Sequence, residues 1–232
     1  MIYYDGVNIE SVANVKIEDI HVNPIKFETV ARPRPIRGGS NLIRNRAGTR
    51  TIIVTFAILE RDEILRQKML DAVSLWAKTD KEYRIDIPGH PDRYLMGVCT
   101  EKPEPSLRQW WESNLRLVFT CIDNPYWNSK AEKSAACGSD FFVLGDAEPL
   151  MRIERTLSGA ASNQAYASGG KTMTFSTIPA GNMIIDLNNQ TAVVGNTDIM
   201  QYYNVNSRFI IPKTGAMKIT GTGTIKYRER FE

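Results

Sequence analysis

Two histidines, three cysteines and three neighbouring glutamates are the residues of this chain whose chemistry could support catalysis or metal binding. A hydrolytic nucleophile usually needs a base beside it. His21 sits in a strand-like stretch and His90 in a Pro-Gly-His-Pro turn, and no G-x-S-x-G motif accompanies them. Zinc needs three or four Cys and His at local spacings. Cys99, Cys121 and Cys137 are scattered, form no CxxC pair and are odd in number, so they read as reduced thiols rather than a disulfide framework. Glu101, Glu104 and Glu112 could suggest a glycosidase pair, but Pro103 and Pro105 put them in a loop. The P-loop pattern does not occur, and Gly221-Thr222-Gly223 lacks the helix that a dinucleotide site requires. Asn189-Gln190-Thr191 matches a glycosylation sequon, without a secretory leader to give it meaning. No catalytic residue, cofactor or metal is expected.

Charge patterning is more informative. Between residues 29 and 59 stand Arg32, Arg34, Arg37, Arg44, Arg46 and Arg50, with no Asp or Glu among them. Pro33 and Pro35 forbid a helix there and Gly38-Gly39 loosens the chain. The expectation is an extended arm or long loop joining a strand over 25–31 to a strand over 51–59. Three uses are open: a solvated loop, an ion-paired contact with an acidic face of a neighbouring subunit, and a nucleic-acid contact. The second is preferred, because no aromatic residue interleaves with the arginines as a base-stacking platform would.

The elements that must position these residues are mostly strands. Residues 51–59, TIIVTFAIL, are apolar on both parities and predict a central strand covered on both faces. Alternation at 83–87, 94–98 and 115–121 predicts three more. One amphipathic helix is predicted from Asp62 to Lys78, capped by Asp62, with Leu65, Met69, Ala72, Val73 and Trp76 on its docking face. Further along, short apolar runs at 150–155, 172–178, 182–187, 190–194, 199–205, 208–211, 216–220 and 224–231 alternate with turns, as in a β-sandwich or jelly roll.

Composition divides the chain. All four Trp lie before residue 128, while ten of sixteen glycines lie after 130. The small, polar stretch Ser134–Ser139 reads as a connection. The expected organisation is an N-terminal domain over 1–130, a linker over 131–147 and a C-terminal domain over 148–232. The net charge of +3 sets no strong prior for nucleic acid or membrane. No apolar run reaches the roughly 20 residues of a membrane helix, so no membrane insertion is expected.

Taken in order, the basic stretch Arg32–Arg50, the strand TIIVTFAILE, a helix closing on Leu75-Trp76, the run LVFTCIDNPYW, the segment NMIIDL and the ending KYRERF resemble the distal tail proteins of siphovirus-type phages. The resemblance covers the whole chain and rests on the order of weak motifs. It implies a mainly β fold with one helix: an α+β N-terminal domain resembling tail-tube folds and a C-terminal galectin-like β-sandwich. It further implies a structural virion protein at the tail tip, assembled in the host cytoplasm. There it would form a hexameric ring joining the tail tube protein to a tail-associated fibre or lysin protein. A receptor-binding protein is a further implied partner, and DNA would only transit the lumen. The arginine segment would be the loop that reaches a neighbouring subunit. An alternative is carbohydrate binding through the C-terminal sandwich, with Trp127, Tyr166, Tyr202 and Tyr203 as available stacking aromatics. A cell-wall hydrolase is the weaker alternative.

Overall fold

A computed structural model describes residues 1–33, 40–103 and 112–232, without side chains at 29–33, 40–46 and 112–114. The chain divides into two compact units, Met1–Trp127 with Glu232, and Asn128–Phe231.

The first unit contains β1 (Tyr3–Tyr4), β2 (Val7–Asn8), the single turn α1 (Ile9–Val12), β3 (Val15–Val22), β4 (Phe27–Pro33), β5 (Ser40–Ala47) and β6 (Arg50–Ile58). It continues with α2 (Glu63–Trp76), β7 (Tyr83–Asp86), β8 (Arg93–Glu101) and β9 (Glu112–Cys121). Antiparallel pairing runs β2-β1-β7-β8-β9-β6-β3. The predicted central strand is β6, flanked by β3 and β9. Its inward positions Ile52, Val54 and Phe56 lie opposite Phe119, Leu117 and Leu115, and all six are buried. Thr51, Ile53 and Thr55, on the other face, are only half-buried, so the strand is covered fully on one side and not, as expected, on both.

Helix α2 starts as expected: the Asp62 carboxylate accepts from the amides of Ile64 at 2.8 Å and Leu65 at 3.0 Å. Its buried stripe differs from the expected one. Arg66, Leu70, Val73 and Trp76 face inward, while Leu65 is 45% exposed and Leu75 80%. Two stripes one residue apart both end on Val73 and Trp76. Apolar type alone favours Leu65 over Arg66, yet an arginine can bury its long aliphatic stem. Trp76 anchors the helix by donating Nε1–H to the Val7 carbonyl at 2.9 Å and meeting Tyr4 and Phe119 edge-on. The Tyr4 hydroxyl, donating to the Lys78 carbonyl at 2.9 Å, is held well above the usual phenol range by burial.

Strand β10 (Trp127–Ser129) spans the passage from one unit into the next along the chain. The second unit then contains β11 (Lys133–Ala136), β12 (Asp140–Val143), β13 (Ala147–Leu157), β14 (Ala161–Ser168), β15 (Lys171–Ile178) and β16 (Gly181–Asp186). It ends with β17 (Thr191–Val194), β18 (Thr197–Asp198), a 3-10 turn at Met200–Tyr202, β19 (Gly215–Lys218) and β20 (Thr224–Phe231). The stretch 131–147, expected as a linker, therefore carries β11 and β12, which pair with β20 and β19 inside the second unit. Small polar residues there build a short edge strand rather than a tether. The predicted strand over 199–205 is in fact the 3-10 turn, and 208–211 is not a strand.

The main sheet of this unit runs β18-β17-β16-β13-β20-β11, all antiparallel. Its inward residues Met151, Ile153, Ile185 and Ile225 share one core with Tyr166, Met173, Phe175 and Met217 from β14, β15 and β19. Two layers of strands closing on one core is the sandwich arrangement. Gly221 shows how tightly the layers meet: at φ +128°, a Cβ there would lie 2.5 Å from the Tyr166 ring. Outside the core, Arg152 donates to both oxygens of Glu132 at 2.9 and 3.0 Å and to Glu154 at 2.6 Å, and Lys226 lies 2.8 Å from Glu154. Lys226 and then Arg152 hold the Glu154 carboxyl below its usual range.

Candidate assembly interface

Of the basic segment, expected as an extended arm or long loop, the described residues on either side of 34–39 form a two-stranded antiparallel ribbon. Strand β4 pairs with β5 from Phe27↔Ala47 to Pro33↔Ser40, with a bulge between Val30 and Ala31. Neither strand pairs with any other among the described residues. Alternation hid this: β5 reads SNLIRNRA, polar enough to suggest a solvated loop. The register nevertheless sets Arg46 opposite Glu28, Arg44 opposite Val30 and Arg32 opposite Asn41. Directly opposed residues share a face, and residues two apart on a strand share a face. Positions 32, 44 and 46 therefore fall on the same side of the ribbon. Arg34 and Arg37 lie outside the described residues.

The root of the ribbon is pinned. The Gly48 amide donates to the Lys26 carbonyl at 2.6 Å, and the Lys26 amide to the Thr49 carbonyl at 2.9 Å. A Cβ at Gly48 would approach the Lys26 carbonyl oxygen to 2.8 Å, so only glycine permits this closure. Beyond it, Asn23 bonds Thr51 through both backbone and side chain.

Arg50 does not belong to the arm. It opens β6, is 4% exposed, and sets its guanidinium 5.9 Å from the centre of the Trp127 ring. Its Nε and Nη1 have no hydrogen-bond partner among the described residues, and burial pushes its basicity down. His90 packs on the same indole at a centroid distance of 4.3 Å, which accounts for that histidine structurally.

The first unit also presents a sheet edge with charges of both signs, Lys16 beside two acids. Strand β3 pairs only with β6 among the described residues, and carries exposed Glu18 and Asp19 at a bulge.

The remaining chemical candidates stay apart. Cys99 and Cys121 are buried and Cys137 half-buried, all three free. Burial raises each thiol, Cys121 to about 12. Glu104 lies outside the described residues, and no group of three His, Cys, Asp or Glu fit to hold a metal occurs among the described ones. The four candidate stacking aromatics form no platform. Trp127 and Tyr166 are buried, Tyr202 packs half-buried against the core of the second unit, and Tyr203 packs between Phe175 at 5.6 Å and Phe209 at 5.0 Å. No helix among the described residues is long and apolar enough to cross a membrane.

These features define a mainly β chain of two units that extends a basic ribbon. The fold is similar to that of phage hub and baseplate proteins in solved structures. The chain superposes on the Dit protein of phage SPP1, described as a paradigm of the hub adsorption apparatus in phages infecting Gram-positive bacteria. The TM-score is 0.80 at 16% identity, covering 100% of this chain and 98% of that one. It also matches a chain of the phage P2 baseplate in its activated conformation with calcium, at TM-score 0.50 and 8% identity, covering 96% and 92%. No protein-family model and no curated protein matches the chain by sequence.

Proposed function

We propose that this chain is a structural, non-enzymatic subunit of a phage tail tip, forming a ring-shaped hub between the tail tube and the proteins below it. The observation that carries the reading is the likeness to the SPP1 hub protein over both chains nearly end to end, which includes both units and not one common domain alone. Its partners are further copies of itself in a hexameric ring, the tail tube protein above, and a tail-associated fibre or lysin protein below. A receptor-binding protein docks on the hub, and DNA passes through the lumen. The site of action is the virion tail tip, after assembly in the host cytoplasm.

The ribbon supplies the subunit contact in this reading. A hairpin with two free edges is marginal alone in water and needs a surface to lie on. Arg32, Arg44 and Arg46, with Arg34 and Arg37, meet an acidic surface of the next copy, for which the β3 edge with Glu18 and Asp19 has the matching charge. A head-to-tail contact that closes leaves no copy of the interface unfilled.

Sedimentation of the full chain at low and high salt tests this. Arg32→Glu/Arg44→Glu/Arg46→Glu is expected to sediment as a monomer with unchanged circular dichroism, while the parent assembles. Unaltered assembly of that variant at both salt concentrations would remove the ribbon from the interface.

A further inference from the structure

Helix α2 has a second face, turned away from the core of the first unit. Arg66, Leu70, Val73 and Trp76 take the inner side. On the opposite side, at steps of four, three and four residues, stand Ile64, Lys68, Asp71 and Leu75. All four are exposed, Ile64 at 69% and Leu75 at 80%. Asp71 accepts from Gln67 at 3.0 Å, a bond within the same helix. Large apolar side chains lined up on an exposed face mark a contact surface.

The order along this row selects what covers it. Apolar residues stand at its two ends, and a cation and an anion in its middle. Ile64 and Leu75 lie equally far from the helix midpoint between Met69 and Leu70, and so do Lys68 and Asp71. A second α2 laid antiparallel about a two-fold axis at that point therefore sets each Ile64 against Leu75 of the other copy, and each Lys68 against Asp71 of the other copy. The axis also brings each flank of the helix against the same flank of its copy. Leu65, 45% exposed, then meets Ala72 on one side, and Gln67 meets Ser74 on the other. A parallel pairing would set Lys68 beside Lys68 and Asp71 beside Asp71, like against like. An unrelated partner would need only an apolar stripe. Apolar and charged positions reflected about one point are what a self-complementary contact requires.

We propose that the outer face of α2 is an isologous contact surface between two copies of this chain, packed antiparallel. The contact is two-fold, so it differs from the head-to-tail contact of a ring and does not rest on it. One helix pair buries less than the roughly 800 Å² per partner of a standard interface. It therefore holds free copies only briefly, and covalent trapping is the way to read it.

Disulfide trapping on the full chain carrying Cys137→Ser tests the proposal. Ile64→Cys and Leu75→Cys chains, one with an affinity tag, are oxidised separately and as an equal mixture. The mixture is expected to give cross-linked dimer at least about 5-fold above either chain alone, because like positions lie about 16 Å apart along the axis, beyond the reach of a disulfide. Lys68→Asp in both chains is expected to lower that yield about 5-fold at low salt. Lys68→Asp/Asp71→Lys is expected to restore it, with circular dichroism unchanged throughout. Arg32→Glu/Arg44→Glu/Arg46→Glu is expected to trap as well as the parent, which separates this contact from the ring. No excess in the mixture, or a charge swap no better than Lys68→Asp, would overturn the proposal. So would trapping that disappears in the ribbon variant.

Discussion

The Arg50 guanidinium lies buried against the Trp127 ring, 5.9 Å from its centre, with two of its nitrogens unbonded among the described residues. The ring offers a cation–π contact in return for lost hydration. An apolar side chain of similar length fills the same space without desolvating a charge. Arg50→Met is therefore expected to be neutral, or to stabilise the chain by about 1–2 kcal/mol. Arg50→Ala leaves a cavity and destabilises by about 2–4 kcal/mol. Urea unfolding of the two variants distinguishes them, and a large loss in Arg50→Met would mean that the charge itself is needed.

Lys133 and Glu229 form the reverse case, a buried charge that is well partnered. The Glu229 carboxylate, 5% exposed, accepts from Lys133 at 2.7 Å and from the Leu144 amide at 2.9 Å. These bonds tie β11 and the end of β12 to β20. Glu229→Ala, which orphans the amide and frees the strand, is expected to destabilise by about 2–4 kcal/mol. Lys133→Ala leaves the carboxylate with only the amide and is expected to be comparably harmful, by about 3 kcal/mol. A double variant less harmful than the sum of the singles would confirm the coupling.

Cys121 contributes to the alkaline behaviour of the first unit. Burial holds its folded-state thiol at about 12, against 9.0 for an ordinary thiol. Above pH 9 the unfolded chain loses that proton while the folded chain keeps it, so stability is full below pH 9 and falls as pH rises. The slope from this one group approaches about 1.4 kcal/mol per pH unit until the folded thiol titrates. Cys121→Ser is expected to flatten the slope of stability between pH 9 and 11, and the native thiol to resist a thiol reagent at pH 8. Rapid labelling of Cys121 in the folded chain would contradict its burial.

Gly221 tests the close approach of the two layers in the second unit. A methyl group there meets the Tyr166 ring at a left-handed φ of +128°, two penalties at one position. Gly221→Ala is expected to destabilise by about 3 kcal/mol or more, whereas Gly159→Ala, with open space around it, should lie within about 1 kcal/mol of the parent. Thermal melts of both are sufficient.

Strands with one apolar face, such as β9 and β20, are legible in the sequence because their period is written in the residues that enter the core, and β6 is legible as a continuous apolar run. The Asp62 cap was legible for a local reason, since it serves amides two and three residues away. What escaped depended on partners distant in sequence. β5 is polar and becomes a strand only by pairing with β4, and β11 only by pairing with β20. The face of α2 was misplaced by one residue because Arg66 is buried where Leu65 was expected. Arg50 was grouped with the arm by composition, yet pairing with Cys121 puts it in the sheet.

Negative-stain imaging of the purified full chain at high protein concentration tests the central claim most directly. The account predicts closed rings of uniform size with an open centre, lost when Arg32, Arg44 and Arg46 are reversed in charge. A single population of monomers at every concentration and salt level would contradict it.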